Sequence, residues 1–126
     1  MSESIRVFRA GERPERPTTQ TAGMRRDELL SLPDSWAGFV STPPGSVSDW
    51  HHHGEYNTYI YAISGRVRLE FGPGGRESVE GGEGDVFFVP KGAVHRESAV
   101  GAKGCLVFLV RVGHGEPVVN VDGPEN

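Results

Sequence analysis

The pattern of apolar and polar residues along this chain predicts short strands rather than helices. Residues 67–71 alternate cleanly, with apolar side chains on one face and charged ones on the other, as in a strand with one wet side. Residues 58–63 are rich in the aromatic and β-branched side chains that strands favour. Because only residues 64–65, Ser and Gly, separate the two runs, they are predicted to form a hairpin.

Further strands are predicted wherever β-forming residues lie between glycine or proline turns. The predicted segments are residues 5–9, 36–41, 76–80, 86–89, 94–98 and 105–112. Residues 24–30 fit a strand or a short helix, since Pro33 follows closely. The proline-bearing residues 12–19 are predicted to form an extended arm that is loosely ordered or lies against a partner subunit. The tail from residue 113 is predicted to fray, apart from residues 117–121.

Strands recurring every 8 to 12 residues without a sustained helical period predict an antiparallel sandwich or small barrel. With 126 residues, the chain has room for one hydrophobic core. We therefore expect one domain over residues 1–126, with the core barrel at about 36–112, an N-terminal strand and arm at 1–35, and a C-terminal tail at 113–126. Closing the sheet would leave an interior that can hold one small ligand.

Composition and charge narrow the range of partners. A net charge of −4 provides no basic face for a phosphate backbone, so we do not expect the chain to bind nucleic acid. A small solute is the expected partner. The first residues lack the apolar run of a signal peptide, and no stretch of 18 apolar residues occurs, so we expect a cytoplasmic protein without membrane contact. A single cysteine, Cys105, fits a reducing compartment and is expected to pack inside its strand.

The candidate chemistry lies in residues 49–58, where three histidines stand side by side. In an extended segment His51 and His53 share a face, about 6.6 Å apart, while His52 points away, as Trp50 should too. Two imidazoles on one face can bind one ion, and His95, which follows a strand and a turn, is the best third ligand. The alternative is a solvated histidine run at the surface, which is also the expectation for His114.

The spacing of these histidines resembles the two sequence motifs of the cupin superfamily, small β-barrels of the jelly-roll type. The positions that match are Gly45, His51, His53 and Gly65 in the first motif, and Gly84, Pro90, Gly92 and His95 in the second. Two positions depart from the cupin motifs. The metal-binding Glu of the family falls on Thr58, and the final Asn of the second motif falls on Ala99.

The resemblance implies an antiparallel jelly-roll β-barrel, or double-stranded β-helix, with a divalent metal held by His51, His53 and His95. Some cupins with three histidines hold Fe(II) and act as dioxygenases, so a metal-dependent oxidoreductase of this kind is the leading hypothesis. Imidazole-only ligation favours Fe, Zn or Ni over Mn. The alternatives are a non-enzymatic cupin that binds or senses a small molecule, and a metal-free isomerase or epimerase with His51 or His95 as base. The resemblance also implies a homodimer.

Several other residues have more than one interpretation. Glu97 shares a face with His95 in an extended strand, so it could be a catalytic base, orient a ligand, or be a polar residue at the barrel mouth. Glu55 could replace the missing carboxylate, unless Gly54 makes a turn. Tyr59 and Tyr61, opposite Thr58, are expected between sheets or at a subunit interface. Arg111 ends an apolar strand and either meets an anionic substrate or, as we favour, marks where the strand reaches water.

Overall fold

The computed structural model of the chain is nearly all β-structure, in two antiparallel sheets. It describes residues 4–12, 17–18 and 22–125. The strands are β1 (Pro17–Thr18), β2 (Arg25–Leu32), β3 (Ser35–Thr42), β4 (His51–His52), β5 (Asn57–Ser64), β6 (Val67–Phe71), β7 (Glu77–Gly81), β8 (Val86–Val89), β9 (His95–Ala99), β10 (Cys105–Val112) and β11 (Val119–Asn120). Two 3₁₀ turns, Ala10–Glu12 and Pro73–Gly75, are the helical elements of the described residues.

The six-stranded sheet has the order β1-β2-β3-β10-β5-β8, and the five-stranded sheet has the order β11-β4-β9-β6-β7. Inward positions alternate with outward ones along each long strand, as in β3, where every second residue from Trp36 to Thr42 is buried. The apolar inward side chains form one core that includes Cys105, as expected. This arrangement confirms the predicted all-β antiparallel jelly-roll.

The predicted hairpin between residues 58–63 and 67–71 is wrong, because these strands belong to different sheets. Strand β5 pairs with β8 and β10, whereas β6 pairs with β7 and β9. At Gly65 the chain turns with φ +78°, and a Cβ there would collide with the backbone at Gly104. The turn therefore passes the chain from one sheet to the other instead of folding it back on its neighbour.

The ends of the chain differ from the expectation in two further ways. Residues 5–9 form no strand, and Ile5 and Val7 are exposed. Of the predicted arm over residues 12–19, Glu12 ends a 3₁₀ turn and Pro17–Thr18 forms β1, and the remainder lies outside the described residues. Of residues 24–30, all but Met24 belong to a strand, β2, and none belongs to a helix.

The prediction that the C-terminal tail frays apart from residues 117–121 is wrong outside that range, because the Gly113 amide donates to the carbonyl oxygen of Asp34. Residues 117–121, the predicted exception, do contain a strand. Val119 and Asn120 form β11 beside β4, and the Val121 amide donates to the carbonyl oxygen of Trp50. The Gly74 amide donates to the carbonyl oxygen of Glu125 near the end of the chain. Among the described residues, no helix is long and apolar enough to cross a bilayer.

Candidate metal centre

Two paired strands, β4 and β9, bring the predicted histidines together inside the barrel. His51 in β4 is the cross-strand partner of His95 in β9, and His53 follows β4 on the same face as His51. All three side chains are buried, and one nitrogen from each lies within 4.8 Å of the others. The ring centroids are 4.4 Å apart for His51 and His95, 5.0 Å for His53 and His95, and 5.2 Å for His51 and His53.

Backbone carbonyls fix the tautomer of each imidazole. Nδ1 of His51 donates to the carbonyl of Asp49 at 2.8 Å, Nδ1 of His95 to that of Ala93 at 2.9 Å, and Nδ1 of His53 to that of Pro117 at 3.0 Å. A carbonyl oxygen can only accept, so each Nδ1 carries the proton and each Nε2 keeps a free lone pair. His95 Nε2 is buried and has no hydrogen-bond partner.

Electrostatics keep these imidazoles neutral. Burial, then the neighbouring His95, lowers the pKa of His51 to about 3, and the same two causes lower the pKa of His53 further. Burial lowers the pKa of His95 to about 4. Because a metal binds the neutral ring, the site is ready to coordinate an ion at neutral pH without first losing protons.

The residues present fit a metal ion. Backbone carbonyls orient the imidazoles as they do in known metal–histidine sites, and one nitrogen from each ring lies within 4.8 Å of the others. Three neutral nitrogen donors suit a transition metal, and the free positions around it are typical of a catalytic site rather than a closed structural one. The His51, His53 and His95 cluster could therefore bind a metal ion.

The other histidines lie outside this cluster. His52 alternates with the buried His51 and His53 and is not in the cluster, so it points away from the cluster as predicted. Its Nδ1 accepts a hydrogen bond from the Gly54 amide. His114 is exposed, also as predicted. Trp50 is half-buried and lies under the guanidinium of Arg96, at 4.6 Å.

The missing carboxylate is not replaced by Glu55. The Glu55 side chain is 62% exposed, and its Oε2 lies 3.8 Å from Nζ of Lys91. It points outward because Gly54, with φ +56°, turns the chain just before it. Thr58 is fully buried, and its hydroxyl has no hydrogen-bond partner. Glu97 is buried in the interior, 5% exposed, and not solvated at the barrel mouth. Burial raises the pKa of Glu97, while Arg26 and Arg111 oppose this shift.

Two buried arginines were not anticipated. Arg111 is 0% exposed and faces the interior, so the expectation that it marks where β10 reaches water is wrong. Arg26 is 2% exposed, and its position in a polar run of the sequence gave no sign of burial. Arg111 occupies the same parity as the buried Cys105, Val107 and Leu109, which is the signal that could have placed it inside.

A pocket of about 570 Å³ opens between the edge strands β7 and β8 and reaches the metal centre. Its lining is mostly apolar, includes Leu69, Phe71 and Phe87, and has the buried His95 among its walls. The two edge strands belong to different sheets, so the pocket lies at the open seam between them.

Several solved structures share this fold. A conserved protein with a double-stranded β-helix domain from Klebsiella pneumoniae is 21% identical over 94% of this chain and 98% of its own, with a TM-score of 0.74. A polyketide cyclase from Streptomyces resistomycificus is 18% identical over 94% and 86%, with a TM-score of 0.76. An oxalate decarboxylase from Bacillus subtilis, which has Mn(II) centres, is 19% identical over 78% of this chain but 27% of its own, with a TM-score of 0.65. At these identities the likeness shows the fold alone.

No curated protein has a matching sequence. The profile of the family described as "Cupin domain" matches residues 38–112, which is more than half of the chain and contains all three clustered histidines. The two-sheet architecture and the structural relatives agree with this match. The chain therefore belongs to the cupin family.

Proposed function

We propose that this cupin is a metal-dependent enzyme that acts on a small organic molecule, with His51, His53 and His95 as the metal ligands. The observation that carries the proposal is the convergence of three neutral imidazoles whose Nδ1 atoms are all engaged by backbone carbonyls. A bound divalent ion would act as a Lewis acid on an oxygen of the substrate, and iron would add chemistry of the dioxygenase type. The polyketide cyclase and the oxalate decarboxylase among the structural relatives are themselves enzymes.

The ligand set supports iron, zinc or nickel over manganese. Three imidazole nitrogens suit iron, zinc and nickel, whereas manganese prefers oxygen donors. Thr58 stands where a carboxylate would add such a donor, and Glu55 is directed to solvent. The Mn(II) centres of the oxalate decarboxylase therefore do not define the metal expected here.

Glu97 is the proposed acid–base group. It lies two residues beyond His95 in β9, and both side chains are buried in the interior. Burial raises the pKa of Glu97, which brings it nearer to the range in which a carboxyl exchanges protons at neutral pH. The raised pKa supports a role in proton transfer better than a role as a permanent anion.

Metal analysis of protein purified without added metal tests the ligand assignment. We expect one ion per chain in the wild type and its loss in His51→Ala, His53→Ala and His95→Ala. His52→Ala is the matched control, since His52 is adjacent in sequence and points away. Equal metal content in the wild type and the His51→Ala variant would end the assignment, and protein active without metal would favour an isomerase.

Turnover separates an enzyme from a binding protein. Oxygen uptake and product formation can be followed with small diketones, thiols and aromatic acids, using wild type loaded with iron, zinc or nickel. We expect activity to be lost in His95→Ala together with the metal, and in Glu97→Gln with the metal retained. Saturable binding of these compounds without turnover by any loaded form would identify a non-enzymatic binding cupin instead.

We also propose that the chain forms a homodimer through the outer face of the six-stranded sheet. Tyr59 and Tyr61 lie on this face, exposed to solvent and not between the sheets. Apolar neighbours on β8 and β10 extend the patch, namely Val86, Phe88 and Val112. A run of exposed apolar side chains on a sheet beside an edge strand is typical of an interaction surface.

A further inference from the structure

The barrel interior holds polar groups that find no hydrogen-bond partner among the described residues. Among the described residues, every buried side-chain nitrogen or oxygen without a hydrogen-bond partner belongs to one of four residues: Arg26, Thr58, His95 and Arg111. A metal ion would account for His95 Nε2. Nε and Nη1 of Arg26, the three guanidinium nitrogens of Arg111 and the Thr58 hydroxyl remain. Buried donors of this kind are rarely left unpaired in a folded protein.

One face of the Arg111 guanidinium is held by an aromatic ring. It lies opposite Trp36 and Thr58 on the neighbouring strands, and its guanidinium stacks 4.4 Å from the centre of the Trp36 ring. The indole is fixed in turn, because its Nε1 donates to Glu28 at 2.9 Å. Stacking uses the flat face of a guanidinium and leaves the N–H groups in its plane free. Nε, Nη1 and Nη2 of Arg111 all lack a partner.

The interior also has an excess of positive charge. Arg26 and Arg111 both act on the same buried acid, Glu97, so two cations share at most one anion. Burial, then repulsion by Arg26, lowers the pKa of Arg111 to about 9, so it stays charged at neutral pH. The neighbouring imidazoles are neutral, and a divalent ion would add further positive charge. An ionised Glu97 would offset one of the two guanidinium charges, and a carboxylate from outside the chain would offset the other.

We propose that Arg26 and Arg111, with the Thr58 hydroxyl, bind the carboxylate of a small organic acid that occupies the barrel beside the three histidines. The planar fork of Arg111 matches the two oxygens of a carboxylate, and the Thr58 hydroxyl on the adjacent strand can donate to one of them. The proposal rests on the proposed function only in naming the carboxylate as part of the substrate. The apolar pocket that leads to His95 would hold the remainder of the molecule.

The fluorescence of Trp36 provides a direct readout. The chain has two tryptophans, so Trp50→Phe leaves Trp36 as the single emitter. Pyruvate and benzoate are titrated against their neutral amides, pyruvamide and benzamide, and against inorganic phosphate. Calorimetry gives the same affinities without relying on emission. Each titration uses metal-loaded protein and protein treated with a chelator, so that carboxylate binding is measured independently of metal.

We expect at least one carboxylate to bind saturably, and its amide to bind at least about tenfold more weakly, since the amide lacks the charge. Arg111→Met should weaken carboxylate binding by a similar factor and leave the metal content unchanged. Arg68→Met is the matched control, because Arg68 pairs with Glu80 on the outer surface. If Arg111→Met does not fold, Arg111→Lys and Arg26→Met replace it, with the same direction expected.

Four results would overturn the proposal: no carboxylate binding at millimolar concentration, equal binding of acid and amide, equal binding by the folded arginine variants, or binding of phosphate but of neither acid. A protein that binds no metal, yet binds carboxylates in an Arg111-dependent way, would refute the proposed function and support the anion site. A protein that binds metal but no carboxylate would support the metal site of the proposed function and refute the anion site.

Discussion

His51 and His95 face each other across a pair of antiparallel strands, with their ring centroids 4.4 Å apart. They are 44 positions apart in the chain, so their approach is set by the pairing of β4 with β9 and not by a local turn. A site built on paired strands is held more precisely than one on loops. The third ligand, His53, lies beyond the end of β4 and depends on another part of the chain.

That dependence predicts that the C-terminal tail supports metal binding. The Pro117 carbonyl accepts the Nδ1 proton of His53, and β11 pairs with β4. Removing residues 117–126 should weaken metal affinity by about 10- to 100-fold, as happens in other metal sites when the hydrogen-bond partner of a ligating histidine is lost. Competition with a fluorescent chelator measures this affinity. Truncation after Asp122 is the control, since it keeps both contacts.

A point substitution provides an independent check on the tail. Gly54 has φ +56°, and a Cβ there would collide with the carbonyl oxygen of Glu116. Gly54→Ala should therefore displace the tail and weaken metal binding in the same direction as the truncation. Unchanged metal affinity in both variants, with the circular dichroism of the wild type retained, would mean that the tail does not orient His53.

The histidine pKa values predict that the metal-free protein loses stability in mild acid. An unfolded histidine has a pKa of about 6.5, whereas burial lowers the pKa of His51 to about 3 and of His95 to about 4. Below pH 6.5 the unfolded chain binds protons that the folded chain does not, so the unfolding free energy falls. Each such histidine contributes up to about 1.4 kcal/mol per pH unit until its folded pKa is reached.

Urea unfolding of chelator-treated protein between pH 7 and pH 5 measures this slope. His51→Gln should make it shallower, because one proton fewer is taken up on unfolding. Ser41→Ala, which changes no titratable group, is the control and should leave the slope as in the wild type. A stability that is constant over this range would show that the imidazoles can be protonated in the folded state.

The sequence allowed the three clustered histidines to be identified because their placement follows simple rules. The two-residue period of a strand puts His51 and His53 on one face, and the glycine and proline spacing places His95 after a turn. The hairpin was predicted because strands that are neighbours in sequence usually pair. The prediction was wrong because the turn at Gly65 transfers the chain to the other sheet. The prediction for Arg111 was wrong because a charged side chain normally indicates contact with water, and this expectation was given more weight than the position of Arg111 in phase with the buried side chains of its strand.

Gly38 is predicted to preserve the geometry around Arg111. A Cβ at this position would collide with the ring of Trp36 and lie 2.5 Å from the carbonyl oxygen of Asp27. Gly38→Ala should therefore move the indole on which Arg111 stacks and destabilise the fold by about 1–3 kcal/mol, as overpacking does. Urea unfolding and Trp36 emission test this. Ser41→Ala in the same strand is the control, and equal stability of the two variants would show that the strand accommodates the methyl group.

The proposed homodimer predicts a response to charge on the outer sheet face. Tyr59 and Phe88 are 48% and 54% exposed, and their ring centroids are 5.3 Å apart. The double variant Tyr59→Asp, Phe88→Glu should turn a dimer into a monomer. In the dimer interface, its two negative charges would face the same negative charges of the partner subunit. Light scattering after gel filtration gives the mass, and Arg76→Glu on the exposed surface is the control. A monomeric wild type at micromolar concentration would contradict the proposal.

Thr58→Glu is predicted to change both the metal and the ligand. Thr58 occupies the position of the metal-binding Glu in the cupin motif and lies opposite Arg111. A carboxylate there would add an oxygen donor beside three imidazoles, so manganese affinity relative to zinc should rise by at least about tenfold. The same carboxylate would engage Arg111 and compete with an incoming acid, so carboxylate binding should fall.

Thr58→Gln separates these two effects from a simple change in size. The amide fills the same space without charge, so it should leave the metal preference unchanged and weaken carboxylate binding less than Thr58→Glu does. Metal competition and the Trp36 titration read the two effects independently. If Thr58→Glu binds manganese no better and carboxylates no worse than Thr58→Gln, residue 58 lies too far from both the metal and Arg111 to serve either. In that case the interior guanidiniums would need a different anion position, further from the histidines.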